Sequence, residues 1–404
     1  MFERNETAST VTGDGYGLAY RAGAQLMDME MVHFEPYVHA EPDLPMMDRH
    51  ESSAGCRGVL RNKLGEDFLP NYIQPVGPPQ APFHFTRHFG ISNVDIRWVV
   101  SKAMALEVLE GRGDNGAVFY DLTQVPEDVW QTGMVSKYLR YVLCRGYDVT
   151  KTSIRVFPAA ITTLGGIRIN EDCQSSLDGL YAAGEVTGGV HGAMRLGGNA
   201  LADCLVFGAR AGGSAAKHAL SVRMPEVDGR LVERPARTIR DILSRPETAD
   251  GDPEQIKKQV KSAIWKHVGV LRDKDGLQEA ISIFDRIQNE RLPKVFARSL
   301  SKLRPALECA NMVATAQMIA RSAIHRRESR GGQYRLDFPT KDDGKWLCNI
   351  LVAKGPDEME LSTRPAVMTR FRPQDLPAEG PIAQALEGVE RLNAGRLKRL
   401  GGRS

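Results

Sequence analysis

With 404 residues, 42% of them hydrophobic and 25% charged, the chain has the length of two or three ordinary domains and the balance of a globular protein. A formal charge of +3 over that length excludes the broad basic field that draws nucleic acid. No apolar run approaches the roughly 20 residues that direct membrane insertion needs. Six cysteines, at 56, 144, 173, 204, 309 and 348, form no CxxC and no metal-ligand spacing. That scatter suits small buried thiols in a reducing compartment, so we expect no metal site and a cytoplasmic protein. The opening "MFERNETASTVTGDG" has no apolar stretch of a secretory signal, and the basic "RLNAGRLKRLGGRS" at the end reads as a solvated tail.

In chain order, residues 12–27 read as a glycine turn opening a short helix. "MEMVHFEPY" alternates like a strand, and we expect Pro36 to end it. Residues 37–90 carry prolines, histidines and glycines in long loops with short strands. A helix is predicted over 92–111, with Ser92 or Asn93 as N-cap. "AVFYDLT" follows as a strand, "PEDVWQTGMVSKYLRYVLCRG" as a helix and "SIRVFPAAITT" as a strand. After a glycine-rich stretch comes a helix over 200–216. Residues 221–253, with "ERPAR" and "SRPETADGDP", read as a linker. Helices at 254–271, 276–291 and 303–329 then form a compact helical domain.

The stretch "GLYAAGEVTGGVHGAMRLGGNALADCLVFGARAGG", residues 179–213, holds ten of the 39 glycines. "DGLYAAGEV" reads as a buried strand entering a tight turn, where Gly184 lets the backbone approach a ligand closely. Glu185 at that turn can accept hydrogen bonds from sugar-like hydroxyls. The following helix offers exposed N–H groups and a positive dipole end to an anion, which suits a flat redox ring that turns negative on reduction.

Six ordered motifs then carry a resemblance: "TGDGYGLAYRAGAQLMDMEMVHFEP", "GCRG", "GRG", "TTLGGI", "DGLYAAGEVTGGVHGAMRLGGNALAD" and "RRESRGGQYRLDFP". Together they resemble the flavoprotein subunits of succinate dehydrogenase and fumarate reductase, with L-aspartate oxidase a close relative. The resemblance implies an α/β plus α+β fold: a flavin-binding Rossmann-like domain with an inserted capping domain and a C-terminal helical domain. It divides the chain into the end of a first FAD-binding segment (1–40), a capping domain (41–158), a second FAD-binding segment (159–220), the linker (221–253), the helical domain (254–345) and an extension (346–404). FAD is the implied cofactor, touched by Asp14 and Glu185, with Ala200 and Leu201 near the flavin ring.

The resemblance also places Arg97 at the proton-transfer arginine and Arg195 at the carboxylate clamp, where a planar fork holds two oxygens. His191 is in frame. Other polar positions differ: Glu35 stands in "FEP" where the family has "FHP", Ser53–Ala54 replace a threonine–glutamate pair, Ile161 replaces a histidine before "TMGG", and Gln333 replaces another. Glu35 is expected to repel a dicarboxylate, since like charges at about 4 Å cost about 4 kcal/mol at an intermediate dielectric. Ser53 keeps one hydroxyl. His33, two residues from Glu35, either stands in for the lost histidine or pairs with Glu35.

No strand–GxGxxG–helix unit occurs in the sequence, so the ADP half of FAD is expected to need a dinucleotide-binding segment supplied elsewhere, such as a separate chain. The function expected is hydride transfer between FAD and a small carboxylate substrate. Electrons would pass to an iron–sulfur subunit, with membrane attachment only through partners. The alternatives are a non-catalytic truncated paralogue acting in assembly, and an amine or aspartate oxidase.

Overall fold

The computed structural model describes residues 1–46, 58–72, 97–131, 133–223, 226 and 228–369. The first helix, α1 (Asp14–Ala22), starts at Gly13, whose φ of +80° few side chains tolerate. A Cβ at Gly13 would also stand 2.5 Å from Thr315 Oγ1, so glycine is needed here for space as well as for conformation.

Two sheets follow from the strands β1 (Leu26–Met27), β2 (Val32–His39), β3 (Val59–Arg61), β4 (Val118–Asp121), β5 (Ile154–Thr163), β6 (Gly166–Arg168), β7 (Thr187–Gly188), β8 (Cys348–Lys354) and β9 (Met359–Pro365). Among the described residues the first sheet has the order β7-β6-β1-β8-β9 and the second β2-β5-β4-β3. Residues expected as a C-terminal extension thus reach the middle of a sheet, where Leu26 of β1 pairs with Val352 of β8.

Pro36 does not end β2. The strand runs on to His39, with register shifts between His33 and Phe34 and between Glu35 and Val38, and Tyr37 adopts φ +67°. The irregularity absorbs the missing proline N–H, and the bulge re-aims the side chains around it.

In the second sheet Tyr37, Leu60, Val118, Tyr120 and Val156 pack beneath α2 (Arg97–Leu109), a helix burying Val99, Val100, Ala103, Met104 and Leu106. The helix expected over 126–146 divides into α3 (Glu127–Trp130) and α4 (Gly133–Leu143), where Gly133 takes φ +37°. "DGLYAAGEV" does not form the expected buried strand. Tyr181 makes an isolated bridge to Gln174, Gly184 turns to φ +75°, and only Thr187 and Gly188 join β6, in parallel. The left-handed turn at Gly184 takes the backbone out of the extended region before a ladder can lengthen.

Helix α5 (Asn199–Ser221) leads to the segment read as a linker, most of which is instead a helix, α6 (Gly229–Ser244). Asp228 caps it through the Arg230 N–H at 2.9 Å, and Ile242 is buried. A surface helix with a narrow apolar stripe has the polar composition of a linker, and Pro235 does not break it.

Helices α7 (Pro253–Val268), α8 (Lys274–Arg286) and α9 (Leu303–His325) enclose a core of Ile256, Val260, Ile264, Leu277, Phe284, Met312 and Ile319. Arg335 donates to the carbonyls of Ala323 at 2.8 Å, Ile324 at 3.2 Å and Arg326 at 3.0 Å. These are the orphan acceptors of a helix C-terminus, satisfied here by one guanidinium. The short α10 (Asp343–Trp346) precedes β8. None of the helices among the described residues is long and apolar enough to cross a membrane. Cys144, Cys173, Cys204, Cys309 and Cys348 are free thiols, and Cys56 lies outside the described residues.

A buried charge network joins the helical part to the first sheet. Arg326, 1% exposed, bonds Glu30 Oε1 at 2.7 Å, Glu328 Oε1 at 3.0 Å and the carbonyls of Trp346 and Cys348. Asp28 lies 3.6 Å from the same guanidinium and accepts from Asn349 at 2.5 Å and from the Ile350 N–H at 3.0 Å. Burial, reinforced by Glu30, pushes Asp28 up to about 7.

Because the folded value is raised, proton binding at Asp28 favours the folded state. That contribution is full below the ordinary carboxylate range and is lost as pH rises through about 7. Asp28→Asn should therefore remove it: the difference in Tm, variant minus parent, should grow more positive from pH 5 to pH 8 in a series of thermal melts. A pH-independent difference would contradict this.

Candidate functional site

Three segments bring these sequence-predicted groups together. β2 supplies His33 and Glu35, the first residue of α2 supplies Arg97, and the loop from β7 to α5 supplies His191 and Arg195. Arg97 and Glu35 are both buried, and Arg97 Nη1 lies 2.6 Å from Glu35 Oε2. The expectation that Glu35 presents an uncompensated charge to a substrate is therefore corrected. The bulged strand aims Glu35 at Arg97, and each charge compensates the other.

His33 does not pair with Glu35. It is 1% exposed, and neither ring nitrogen has a hydrogen-bond partner. Burial lowers it to about 3, and the positive charges of Arg195 and Arg97 and the neighbouring His191 push in the same direction, so it is a neutral imidazole at ordinary pH. His191 Nε2 lies 3.2 Å from Asp203 Oδ2 on the first turns of α5. Arg195 is 8% exposed, and its loop is held where the Gly332 N–H donates to the Ala193 carbonyl at 3.0 Å. At Gly331 an added Cβ would come within 2.1 Å of that carbonyl, so only glycine lets the two loops meet.

Beside this cluster lies a cleft whose lining includes Gly13, Tyr16, Val32, Ile161, Thr162 and Glu185. Tyr16 donates to the Glu185 carbonyl at 2.8 Å. Burial raises the Glu185 carboxyl, opposed by the Thr162 hydroxyl and by Arg195. Asp14, at the first turn of α1, accepts from Asn311 at 2.5 Å and from Thr12 at 3.1 Å. Ser53 lies outside the described residues, as do Ala54, Ser92 and Asn93.

The residues around α5 fit FAD. Gly198, at φ +79°, opens the helix without a side-chain cap, leaving first-turn N–H groups for an anion. Ala200 is exposed, and Leu201 and Leu205 are 76% and 74% exposed. Of the 23 residues of α5 only Asp203 and Ala211 are buried. So small and apolar a helix left open presents a face for a ring and for further protein.

Sequence reasoning missed several residues of this site. Asn311 and Thr315 on α9 grip the Gly13–Asp14 turn, with Thr315 Oγ1 donating to the Gly13 carbonyl at 3.3 Å. Gln333, noted only as a replaced histidine, accepts from the buried Arg272 and donates to the Ala323 carbonyl at 2.9 Å. Contacts spanning 297 and 302 positions leave no local signal.

Such a fold and site define a flavoprotein of the FAD-binding oxidoreductase class. A model of the FAD binding domain matches residues 5–201, and a model of the fumarate reductase flavoprotein C-terminus matches residues 257–377. The chain belongs to the succinate dehydrogenase/fumarate reductase flavoprotein family, whose cofactor is FAD.

Similar proteins include a CoM/CoB fumarate reductase subunit of Methanothermobacter marburgensis, 38% identical over 349 residues, covering 84% of this chain and 59% of that protein. The fumarate reductase flavoprotein subunit of Mycobacterium tuberculosis is 32% identical, with 92% of this chain and 65% of that one covered. Among solved structures, the FrdA chain of E. coli quinol fumarate reductase superposes with a TM-score of 0.80 at 27% identity, covering 92% of this chain and 64% of FrdA. The chain thus spans about 59% of the length of the first curated relatives it matches.

Proposed function

We propose that the chain is the substrate-binding and capping part of an FAD-dependent oxidoreductase acting on the CH–CH bond of a small carboxylate. FAD, when bound, supplies hydride acceptance and donation. Arg195 holds the substrate carboxylate through its planar fork, which fixes the reacting carbon relative to the face of α5. Arg97, fixed on Glu35, moves the accompanying proton at its guanidinium. Glu185 and Asp14 would accept hydrogen bonds from hydroxyl groups of the cofactor. The closed strand–loop cluster excludes water from the reacting bond.

The observation that carries this reading is the convergence of two buried arginines and a neutral histidine beside an uncapped, exposed helix start. The ADP half of FAD is held by a dinucleotide-binding segment supplied elsewhere, packed on the open face of α5 and along β7, the end strand of its sheet among the described residues. Electrons pass to an iron–sulfur subunit, while the assembly works in the cytoplasm, reaching a membrane only through partners.

Co-expression with a segment carrying a strand–GxGxxG–helix unit should yield a complex with the absorption bands of a flavin. Leu205→Glu, a charge placed on the open apolar face, should abolish that complex while leaving the melting temperature of the chain unchanged. A colourless complex with the parent sequence would overturn the proposal.

A further inference from the structure

Helix α1 meets α9 through two glycines one turn apart. A Cβ at Gly13 would stand 2.5 Å from Thr315 Oγ1, and one at Gly17 would stand 2.8 Å from Asn311 Oδ1 and 3.2 Å from the Asn311 Cα. Asn311 and Thr315 are themselves one turn apart, so the two pairs face each other across the helix contact. That close approach carries the Asn311 amide to Asp14. Its Nδ2 donates to Asp14 Oδ1 at 2.5 Å, and the Thr12 hydroxyl donates to the same oxygen at 3.1 Å. Asp14 Oδ2 has no hydrogen-bond partner among the described residues.

Stability alone does not account for Asn311. The side chain is 8% exposed, and its Oδ1 is buried without a partner. A leucine has the same branched shape and would leave no such orphan, so the amide is there for what its N–H does at Asp14. The first turn of α1 also lies against the Gly184–Val186 turn. Tyr16 donates to the Glu185 carbonyl at 2.8 Å, and a Cβ at Gly15 would come within 2.6 Å of the Val186 side chain. The half-buried Asp14 thus stands beside the turn that carries Glu185.

The carboxylate decides what kind of group this place takes. Helix α1 starts without a side-chain cap, which by itself suits an anion. A negative charge in that first turn opposes a phosphate and suits a hydrogen-bond donor instead.

We propose that Asn311 is a positioning residue for the cofactor: it occupies Asp14 Oδ1, so that Oδ2 is presented to a hydroxyl of FAD. The proposal rests on the reading of the chain as part of an FAD-dependent oxidoreductase, and it names a residue of the helical domain that acts at the cofactor site through Asp14.

The test uses the co-expressed complex, freed of flavin and titrated with FAD. Flavin fluorescence measures affinity, and thermal melts of the flavin-free complex measure the fold. Asn311→Leu should weaken FAD about tenfold, the loss expected when one orienting hydrogen bond to a charged group goes. Asn311→Asp sets two carboxylates against each other and should lower both affinity and melting temperature. Adding Asp14→Asn to it rebuilds the pair with donor and acceptor exchanged. This double variant should recover the melting temperature that Asn311→Asp loses. It should still bind FAD about tenfold more weakly than the parent, because the oxygen left for the cofactor carries no charge.

Recovery of affinity together with stability would show Asn311 to be a packing residue only and would overturn the inference. Parent affinity in Asn311→Leu would do the same. The exchanged pair decides the matter if Asn311→Leu does not fold, and Asn311→Leu decides it if the exchanged pair does not. A colourless parent complex would sink the proposed activity and this inference together, whereas a yellow parent with either contrary result would sink the inference alone.

Discussion

Arg195→Ala in the flavin-loaded assembly is expected to lower kcat/KM by about 10²- to 10³-fold while leaving the flavin spectrum in place. Arg195 is buried in the loop before α5, and no lysine lies beside it there to substitute for the lost charge. Removing one partner of a buried, hydrogen-bonded charge pair costs about 2–5 kcal/mol, and each 1.4 kcal/mol is about tenfold in rate. Arg195→Lys should recover little, because an ammonium cannot offer two parallel N–H bonds to a carboxylate. Steady-state kinetics with an absorption spectrum on the same sample separate loss of catalysis from loss of cofactor. Unchanged turnover in the alanine variant would mean that the carboxylate sits elsewhere.

Arg326→Met should have the largest effect on stability. This side chain, 1% exposed, is the common partner of Glu30 and Glu328, both fully buried, and lies 3.6 Å from Asp28. Methionine keeps much of the volume but leaves the acids facing one another and strips the Trp346 and Cys348 carbonyls of a donor. Breaking a buried pair by removing one partner costs about 3–5 kcal/mol. For a protein of 404 residues that corresponds to a fall in Tm of roughly 4–6 °C.

Arg230→Met provides the comparison, because Arg230 pairs with Asp228 at 2.7 Å on the surface. Solvent screens such an exposed pair, so its melt should overlay that of the parent. Equal melts for Arg326→Met and the parent would show that the network is not a stabilising junction.

The two regions differ in how much of them is legible in the sequence. Helices α7, α8 and α9 lie close to the places the helical pattern predicts, and the structure adds Asp252 and Asp273 as the caps of the first two. The polar run before them misled for a physical reason. A helix that buries little beyond Ile242 has almost no periodic signal, so α6 reads as a linker. β2 misled in the other direction: Pro36 signals a strand end locally, and only pairing with β5 shows a bulge that carries the strand past it.

The sequence alone determined the family, the cofactor class and the identity of the chemical groups. Glycine density, an arginine between glycines and the order of six motifs are properties of the chain itself. Only the tertiary structure decided how those groups are paired. Glu35 reads as a misplaced charge until Arg97, 62 positions away, is seen to meet it, and His33 reads either as its partner or as a stand-in for the lost histidine until both ring nitrogens are found without a hydrogen bond. Likewise the Gly13–Asp14 turn depends on Asn311 and Thr315, and β1 on a strand near residue 350. Electrostatic and steric coupling act through space at a few ångströms, and separation along the chain does not encode which charges share that distance.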